Sequence, residues 1–165
     1  MKNFPIYKDG REYWISRSVC VVVLIIAEDD DHILILVEKR GPKTPDPEYI
    51  GKWCIPCGYV DYNETIAEAA SREVFEETGL HISPDKFQLC EVVDDPRSDK
   101  RQNISFRYLV DLRDEYLGEL CDQLNNNNSE DGEVSELRFI DLYNINDYEW
   151  AFNHNVLIRH MLTND

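Results

Sequence analysis

This 165-residue sequence lacks long apolar runs. No run of about 20 apolar residues is present, so the sequence predicts no membrane span. The longest apolar run, Val19 to Ala27, has the length of a strand. Residues 1–14 also lack the apolar core of a signal peptide, and we therefore expect a cytoplasmic protein.

Basic residues are scarce relative to acidic ones. The chain has 17 Lys and Arg residues against 33 Asp and Glu residues, which gives a formal net charge of −16. General nucleic-acid binding needs a basic face, so this composition argues against it. An anionic substrate would instead need both a bound metal and a local basic patch to approach so acidic a chain.

Cysteine pairs suited to a disulfide framework are also missing. The five cysteines are an odd number in a chain without an export signal, and we expect reduced thiols. Cys54 and Cys57 have the spacing of a redox pair or of half a zinc site. No second pair follows at a useful distance, so packing thiols are the preferred interpretation, with redox or zinc chemistry as the alternative.

The remaining composition suits one domain with one core, because 42% of the residues are hydrophobic. Residues 1–16 predict an N-terminal hairpin or edge strand around the Asp9-Gly10 turn. Loops are expected at 41–49 and 95–103, with a mobile loop at 113–133. Predicted strands cover 17–27, 32–40, 87–94, 104–112 and 134–142, with one helix after residue 65 and another from Asn146 or Asp147 to about Leu162. Strands interleaved with two helices predict an α/β (α+β) fold, an α/β/α sandwich with a mixed sheet between helices.

The stretch from Gly58 to Leu80 combines a loop with a two-faced helix. Thr65 and Glu68 have the spacing of a capping box, and Gly79 stands where a helix-ending glycine belongs. One face of the predicted helix is apolar and suits packing on a sheet. The other face carries Glu73, Glu76 and Glu77 within one sector. Carboxylates this close repel one another unless water or a cation relieves them, and hard oxygen ligands suit Mg²⁺ or Mn²⁺.

The spacing of this stretch resembles the Nudix box, the signature of the Nudix hydrolases. Gly58 is followed by Glu64 after five residues and by Arg72-Glu73-Val74-Phe75-Glu76-Glu77-Thr78-Gly79-Leu80 after seven more. Every defining position is filled. The one departure lies just before the box, where Cys57-Gly58 replaces the glycine pair common in the family.

The resemblance implies hydrolysis of a nucleoside diphosphate linked to another moiety, assisted by Mg²⁺ or Mn²⁺. It implies metal ligands at Glu73, Glu76 and Glu77, with Glu64 as an outer ligand and the backbone carbonyl of Cys57 as a further one. Arg72 would orient a carboxylate. For the general base, we favour Glu133 over Asp131 and Glu136, with Glu73 taking the role if none of them reaches the metal.

Pro96 lies 16 residues after Leu80 and narrows the choice of substrate. A proline there resembles the ADP-ribose pyrophosphatase branch, so ADP-ribose, cleaved to AMP and ribose 5-phosphate, is the first expectation. Nucleoside triphosphates, dinucleoside polyphosphates, nucleotide sugars and NADH are alternatives, as is a non-catalytic nucleotide sensor. The candidate substrate contacts are Arg97, Lys100 and Arg101 in a local basic patch, Arg40, and Trp53 stacking on a base. Family members are often dimers, and the hairpin is a candidate edge for a homodimer.

Overall fold

The computed structural model describes residues 2–97, 101–125 and 132–163. The predicted α+β architecture is confirmed. The strands within the described residues are β1 Phe4–Lys8, β2 Arg11–Ile15, β3 Val19–Asp29, β4 His32–Arg40, β5 Trp53–Cys54, β6 Cys57–Tyr59, β7 Gln88–Val93, β8 Ile104–Asp111 and β9 Val134–Asp141. The α-helices there are α1 Ile66–Thr78, α2 Leu117–Asn125 and α3 His154–Thr163.

The main sheet is mixed and is organised around β3. This strand pairs in parallel with β8 and antiparallel with β4 and β6. The sheet order is β5-β4-β3-β8-β7, with β9 pairing along β4. The apolar run in β3 is continuous rather than alternating because both faces of the sheet are covered.

Two hydrophobic layers lie on opposite faces of the sheet. Val21, Val23 and Ile25 of β3 point into the layer that contains buried residues of α1 and α2. The intervening Val22 and Leu24 point into the layer that contains Ile158 and Met161 of α3. Alternate strand residues therefore hold helices on both faces, which is the expected α/β/α sandwich.

Helix α1 begins and ends as the sequence predicts. The Thr65 side chain accepts from the Glu68 N–H, and the Glu68 carboxylate accepts from the Thr65 N–H at 2.7 Å. Gly79 has φ of 82° and donates its N–H to the Phe75 carbonyl at 2.8 Å. Glycine suits this position because the left-handed conformation is strained for other residues.

Two other predictions need correction. The segment 113–133, expected to be a mobile loop, contains α2, whose Leu120 and Leu124 reach the core. The four asparagines at 125–128 mostly lie outside the described residues. The final α-helix begins at His154, because a 3₁₀ segment occupies Leu142–Asp147 and Asn153 has a positive φ, which is incompatible with an α-helix.

The N-terminal hairpin is present as predicted. Strands β1 and β2 form a two-stranded sheet of their own, separate from the main sheet. Among the described residues, no helix has both the length and the apolar character needed to cross a membrane.

Candidate active site on the acidic face of α1

Arg72 is the centre of the polar network on α1. Its guanidinium makes a bidentate pair with Glu64, with Nη2 at 2.8 Å from Oε1 and Nε at 3.0 Å from Oε2. Its Nη1 donates to Glu73 at 2.8 Å and to Glu76 at 3.0 Å, and its Nη2 donates to the Tyr59 carbonyl at 2.9 Å. One cation therefore connects three acids of the box to the loop that precedes the helix.

Glu77 and Glu73 lie on the inner side of this network. Glu77 is buried, and its Oε2 accepts from the Cys57 N–H at 2.8 Å. Burial and the neighbouring Glu38 carboxyl raise the pKa of Glu77 well above its ordinary value. Burial also raises the pKa of Glu73, against the opposing effect of Arg72. Burial therefore disfavours the ionised forms of both carboxyls, although Glu73 has Arg72 as an ion-pair partner.

Glu38 is a buried acid that the sequence interpretation missed. It lies in β4, is fully buried, and its Oε1 accepts from the Cys54 thiol at 3.1 Å. Arg40 Nη1 is 3.6 Å from the same oxygen, and Glu38 Oε2 has no hydrogen-bond partner among the described residues. Burial raises the pKa of Glu38. The only sequence signal was a charged residue directly after the apolar run of a buried strand.

The donor set suits a hard divalent cation. Among the described residues, no three acid, His or Cys side chains converge on one cation position, and Arg72 holds Glu64, Glu73 and Glu76 instead. The backbone of α1 nevertheless presents carboxylate oxygens at i, i+3 and i+4, and burial raises the pKa values of Glu73 and Glu77, an effect that a bound cation would oppose. Hard oxygen donors of this kind are what Mg²⁺ and Mn²⁺ bind.

The loop before α1 brings two thiols to this site. Cys54 is buried and Cys57 is partly exposed, and both are free thiols. Burial raises the pKa of the Cys54 thiol well above its ordinary value, and a hydrogen bond to Cys57 adds to the shift. The Cys57 backbone, which the resemblance suggested as a ligand, is held against α1 by its bond to Glu77.

One predicted substrate contact, Arg101, is hydrogen-bonded to a residue of the box. It donates to the Tyr59 hydroxyl at 3.2 Å and pairs with Asp46. Arg97 is exposed and pairs with Asp95 of its own loop at 2.9 Å. Lys100 lies outside the described residues.

Two of the predicted contacts are core residues. Trp53 is 7% exposed, and its ring packs edge-on against Tyr148 with centroids 5.5 Å apart. Arg40 is 6% exposed and donates to Thr44. The prediction that Trp53 stacks on a base conflicts with this packing, because stacking needs an open ring face. Arg40 likewise has its guanidinium turned to protein partners.

Glu133 precedes β9 and is exposed. Its carbonyl accepts from the Gly41 N–H at 2.5 Å, which attaches it to the loop after β4. Asp131 lies outside the described residues, and Glu136 pairs with Lys39 and Arg138. The assignment of a general base to Glu133 stays a prediction.

Replacing Arg72 with lysine tests its role as the organiser of the box. Lysine keeps the charge but loses the planar fork that holds Glu64 and the Tyr59 carbonyl together. We expect Mn²⁺ affinity and activity to fall roughly 10- to 100-fold, as for residues that orient metal ligands. Arg113→Lys is the matched control, because Arg113 forms an exposed pair with Asp111. Equal Mn²⁺ titrations for Arg72→Lys and the control would contradict the role.

His154 predicts a pH dependence of stability. Its Nδ1 accepts from the Ile55 N–H at 3.2 Å. Burial, followed by the charges of Arg107 and Arg40, lowers the pKa of His154 from 6.5 to about 3. As the pH falls below 6.5, the unfolded chain takes up this proton before the folded chain does. The stabilisation by His154 is therefore full above pH 6.5 and is lost progressively toward pH 3.

Urea unfolding at pH 8 and at pH 5 measures this contribution. We expect the contribution of His154 to the free energy of unfolding to be about 2 kcal/mol smaller at pH 5 than at pH 8. His154→Asn keeps an acceptor for the Ile55 N–H but does not titrate, so its stability should fall less over this range than that of the wild type. His32→Asn should change the pH dependence of stability in the opposite direction from His154→Asn, because the hydrogen bond to Asp141 raises the pKa of His32. Equal slopes for wild type and His154→Asn would contradict the prediction.

Comparison with known proteins places this site in a family. The NUDIX domain model matches residues 16–161. The ADP-ribose pyrophosphatase of Methanocaldococcus jannaschii is 31% identical over 153 residues, which cover 92% of this chain and 78% of that protein. The human 8-oxo-dGDP phosphatase NUDT18 is 41% identical over 73 residues, or 43% of this chain, and the match spans only a fifth (20%) of that relative's length.

Solved structures share the fold. The NUDIX domain of Shewanella oneidensis NrtR complexed with ADP ribose superposes with a TM-score of 0.71 at 17% identity, covering 90% of this chain and 88% of that one. A bifunctional NMN adenylyltransferase/ADP ribose pyrophosphatase from Francisella tularensis, complexed with AMP and an Mn ion, gives 0.66 at 24% identity, covering 90% and 42%. With the complete box on α1, a family match over most of the chain and an archaeal relative that aligns over nearly all of it, this chain belongs to the Nudix hydrolase family.

Proposed function

We propose that the chain hydrolyses the diphosphate linkage of a nucleoside diphosphate joined to another moiety, with ADP-ribose as the substrate and AMP and ribose 5-phosphate as products. The observation that carries the reaction class is the acidic face of α1, where buried Glu77 and half-buried Glu73 lie beside a loop that Arg72 holds in place. The choice of ADP-ribose is supported by the archaeal ADP-ribose pyrophosphatase, which aligns over 92% of this chain.

The same face fits the cofactor that the family implies. Glu73, Glu76 and Glu77 would hold Mg²⁺ or Mn²⁺, with the Cys57 carbonyl as a further ligand and Glu64 in an outer position. A bound divalent ion polarises phosphoryl oxygens and lowers the pKa of coordinated water. An Mn ion accompanies AMP in the related Francisella structure.

The protein side chains position the substrate and balance its charge. Arg72 fixes the carboxylates by hydrogen bonds to three of them. Arg101, held by Asp46 and the Tyr59 hydroxyl, offers its remaining N–H groups to phosphate oxygens at the edge of the box. Arg97 and Lys100 would extend this basic patch. Glu133 accepts the proton of the attacking water, or Glu73 does so if Glu133 stays remote.

A hydrolysis panel tests the proposal. It compares ADP-ribose, NADH, a diadenosine polyphosphate, a nucleotide sugar and the nucleoside triphosphates, each with Mg²⁺ and with Mn²⁺. We expect fastest turnover of ADP-ribose, with AMP as a product. Faster turnover of another substrate would overturn ADP-ribose but keep the hydrolase. Binding without turnover of any substrate would favour a nucleotide sensor.

We also propose a homodimer formed through the N-terminal hairpin. An isolated two-stranded hairpin is at best marginally stable in water. The hairpin exposes large apolar side chains on both strands, namely Phe4, Ile6, Tyr7, Trp14 and Ile15. Residues 2–17 hold four basic and two acidic residues in a chain of net charge −16, so the hairpin complements the acidic body of a second copy. A light-scattering mass of twice 19.4 kDa at micromolar concentration is expected, and a monomeric mass would overturn the dimer.

A further inference from the structure

Two free thiols lie in the short segment that leads from β5 through β6 toward α1. Cys54 ends β5 and faces Glu38 of β4, while Cys57 begins β6 and faces Val22 of β3. Only two residues separate them in the chain, and both are attached to neighbouring carboxyls: the Cys54 thiol donates to Glu38, and the Cys57 N–H donates to Glu77. Pairing with the neighbouring strands β4 and β3 therefore fixes the backbone on both sides of the two free thiols.

We propose that Cys54 and Cys57 form a dithiol redox site whose oxidation to a disulfide weakens cation binding at the acidic face of α1. The proposal of a dithiol site rests on the positions of Cys54 and Cys57 alone. The effect on the cation rests on the proposed function, since it requires the box acids to bind Mg²⁺ or Mn²⁺.

The two thiols differ in exposure, and this sets the order of reaction. Cys57 is partly exposed, whereas Cys54 is fully buried. Cys57 is therefore the thiol that an external oxidant reaches first, and Cys54 is the resolving thiol behind it. Cys90 is exposed but lies in β7, so it is the reference for an ordinary surface thiol.

The oxidant is a small-molecule disulfide. The Cys57 thiolate attacks one of its sulfurs, the external S–S bond breaks, and one thiolate leaves. Cys54 then attacks the Cys57 sulfur of the mixed disulfide, the second thiolate leaves, and the Cys54–Cys57 bond forms. The Cys54 proton passes first to Glu38 Oε1, to which the thiol already donates at 3.1 Å. The two leaving thiolates finally take up both cysteine protons, so the pair loses two electrons and the external disulfide gains them.

The same atoms are connected to the site of the proposed cation. The Cys57 N–H holds Glu77 Oε2 at 2.8 Å, and the Glu77 carboxyl lies beside that of Glu38. A disulfide fixes its two sulfurs about 2.05 Å apart, well inside van der Waals contact. Forming the bond draws Cys57 toward Cys54, removes the thiol donor from Glu38, and shifts the Glu77 carboxylate relative to Glu73 and Glu76, the other proposed ligands on α1.

Mass spectrometry and Mn²⁺ titration without substrate test both halves. Protein is incubated with oxidised glutathione, and intact mass, peptide mapping and Mn²⁺ affinity are then measured. We expect wild type and Cys90→Ser to lose two hydrogens at the 54–57 peptide and to bind Mn²⁺ at least about ten-fold more weakly, with recovery on reduction. Cys54→Ser and Cys57→Ala should form no such bond and keep their Mn²⁺ affinity on oxidation.

Each part of the proposal is contradicted by a different experimental result. Glutathione found on Cys90 with the 54–57 pair still reduced would overturn the dithiol site. A 54–57 disulfide with unchanged Mn²⁺ affinity would overturn its coupling to α1. Reduced wild-type protein that binds no Mn²⁺ would overturn the proposed metal site and with it the coupling, while the peptide masses would still decide the dithiol. Circular dichroism of each variant excludes unfolding as the cause of a lost bond.

Discussion

Glu77→Gln should lower kcat/KM by roughly two to three orders of magnitude without loss of stability. Glu77 is buried, and burial together with Glu38 raises its pKa, so the surroundings disfavour a negative charge at this position. Glutamine keeps an oxygen to accept from the Cys57 N–H but removes the charge that the proposed cation needs. Activity should therefore fall while the thermal midpoint stays constant or rises, as measured by kinetics and calorimetry on the same sample.

Glu115→Gln is the matched control for Glu77→Gln. Glu115 is exposed and lies before α2, so the substitution removes one acidic group outside the box. We expect its kcat/KM to equal that of the wild type. Wild-type activity in Glu77→Gln would contradict the ligand role, and a large fall in its thermal midpoint would assign Glu77 to folding instead.

Gly58→Ala should lower kcat/KM by about a hundred-fold, because a single methyl group would occupy the position of a box carboxylate. A Cβ built on Gly58 lies 2.1 Å from Glu73 Cδ and within 2.3 Å of both carboxylate oxygens. The Glu73 side chain must therefore move, and its bond to Arg72 at 2.8 Å must break or rearrange. We expect a modest change in unfolding free energy, since the displaced atoms are the end of a flexible side chain.

Gly51→Ala should have the opposite effects on stability and activity from Gly58→Ala. Gly51 has φ of 80°, and a Cβ there meets nothing within 4 Å. Alanine in the left-handed region costs about 1–2 kcal/mol, so stability should fall while the folded enzyme keeps its activity. Urea unfolding and kinetics on both variants separate the two effects. Loss of activity in Gly51→Ala with full activity in Gly58→Ala would contradict the placement of Glu73.

The local features of the site were predictable from the sequence. Helix α1 has its capping box at Thr65 and its left-handed end at Gly79, as expected. Both features depend on neighbours within a few residues, so the local sequence is sufficient to predict them. The same holds for the cluster of acids on α1, because a helical repeat of 3.6 residues brings i, i+3 and i+4 together.

The sheet and its core were also predictable to a useful degree. The β-branched run of β3 became the buried central strand, and the apolar stripe of α1 packs on it through Ala70 and Val74. The prediction of secondary structure was wrong at α2, where a polar composition obscured an amphipathic helical pattern. Acidic and polar residues around α2 favoured a loop, although Leu120 and Leu124 cover the core.

The contacts between elements were decided by the tertiary structure alone. Strand register places Glu38 of β4 opposite Cys54, and packing of α1 then brings Glu77 beside it. The tertiary fold also buries Trp53, whose ring packs edge-on against Tyr148. Residues that meet across a sheet are separated by chain segments of any length, so no local periodicity encodes the pair. The sequence therefore determined the box, its caps and its charge, whereas the fold determined which buried acid and which thiols surround it.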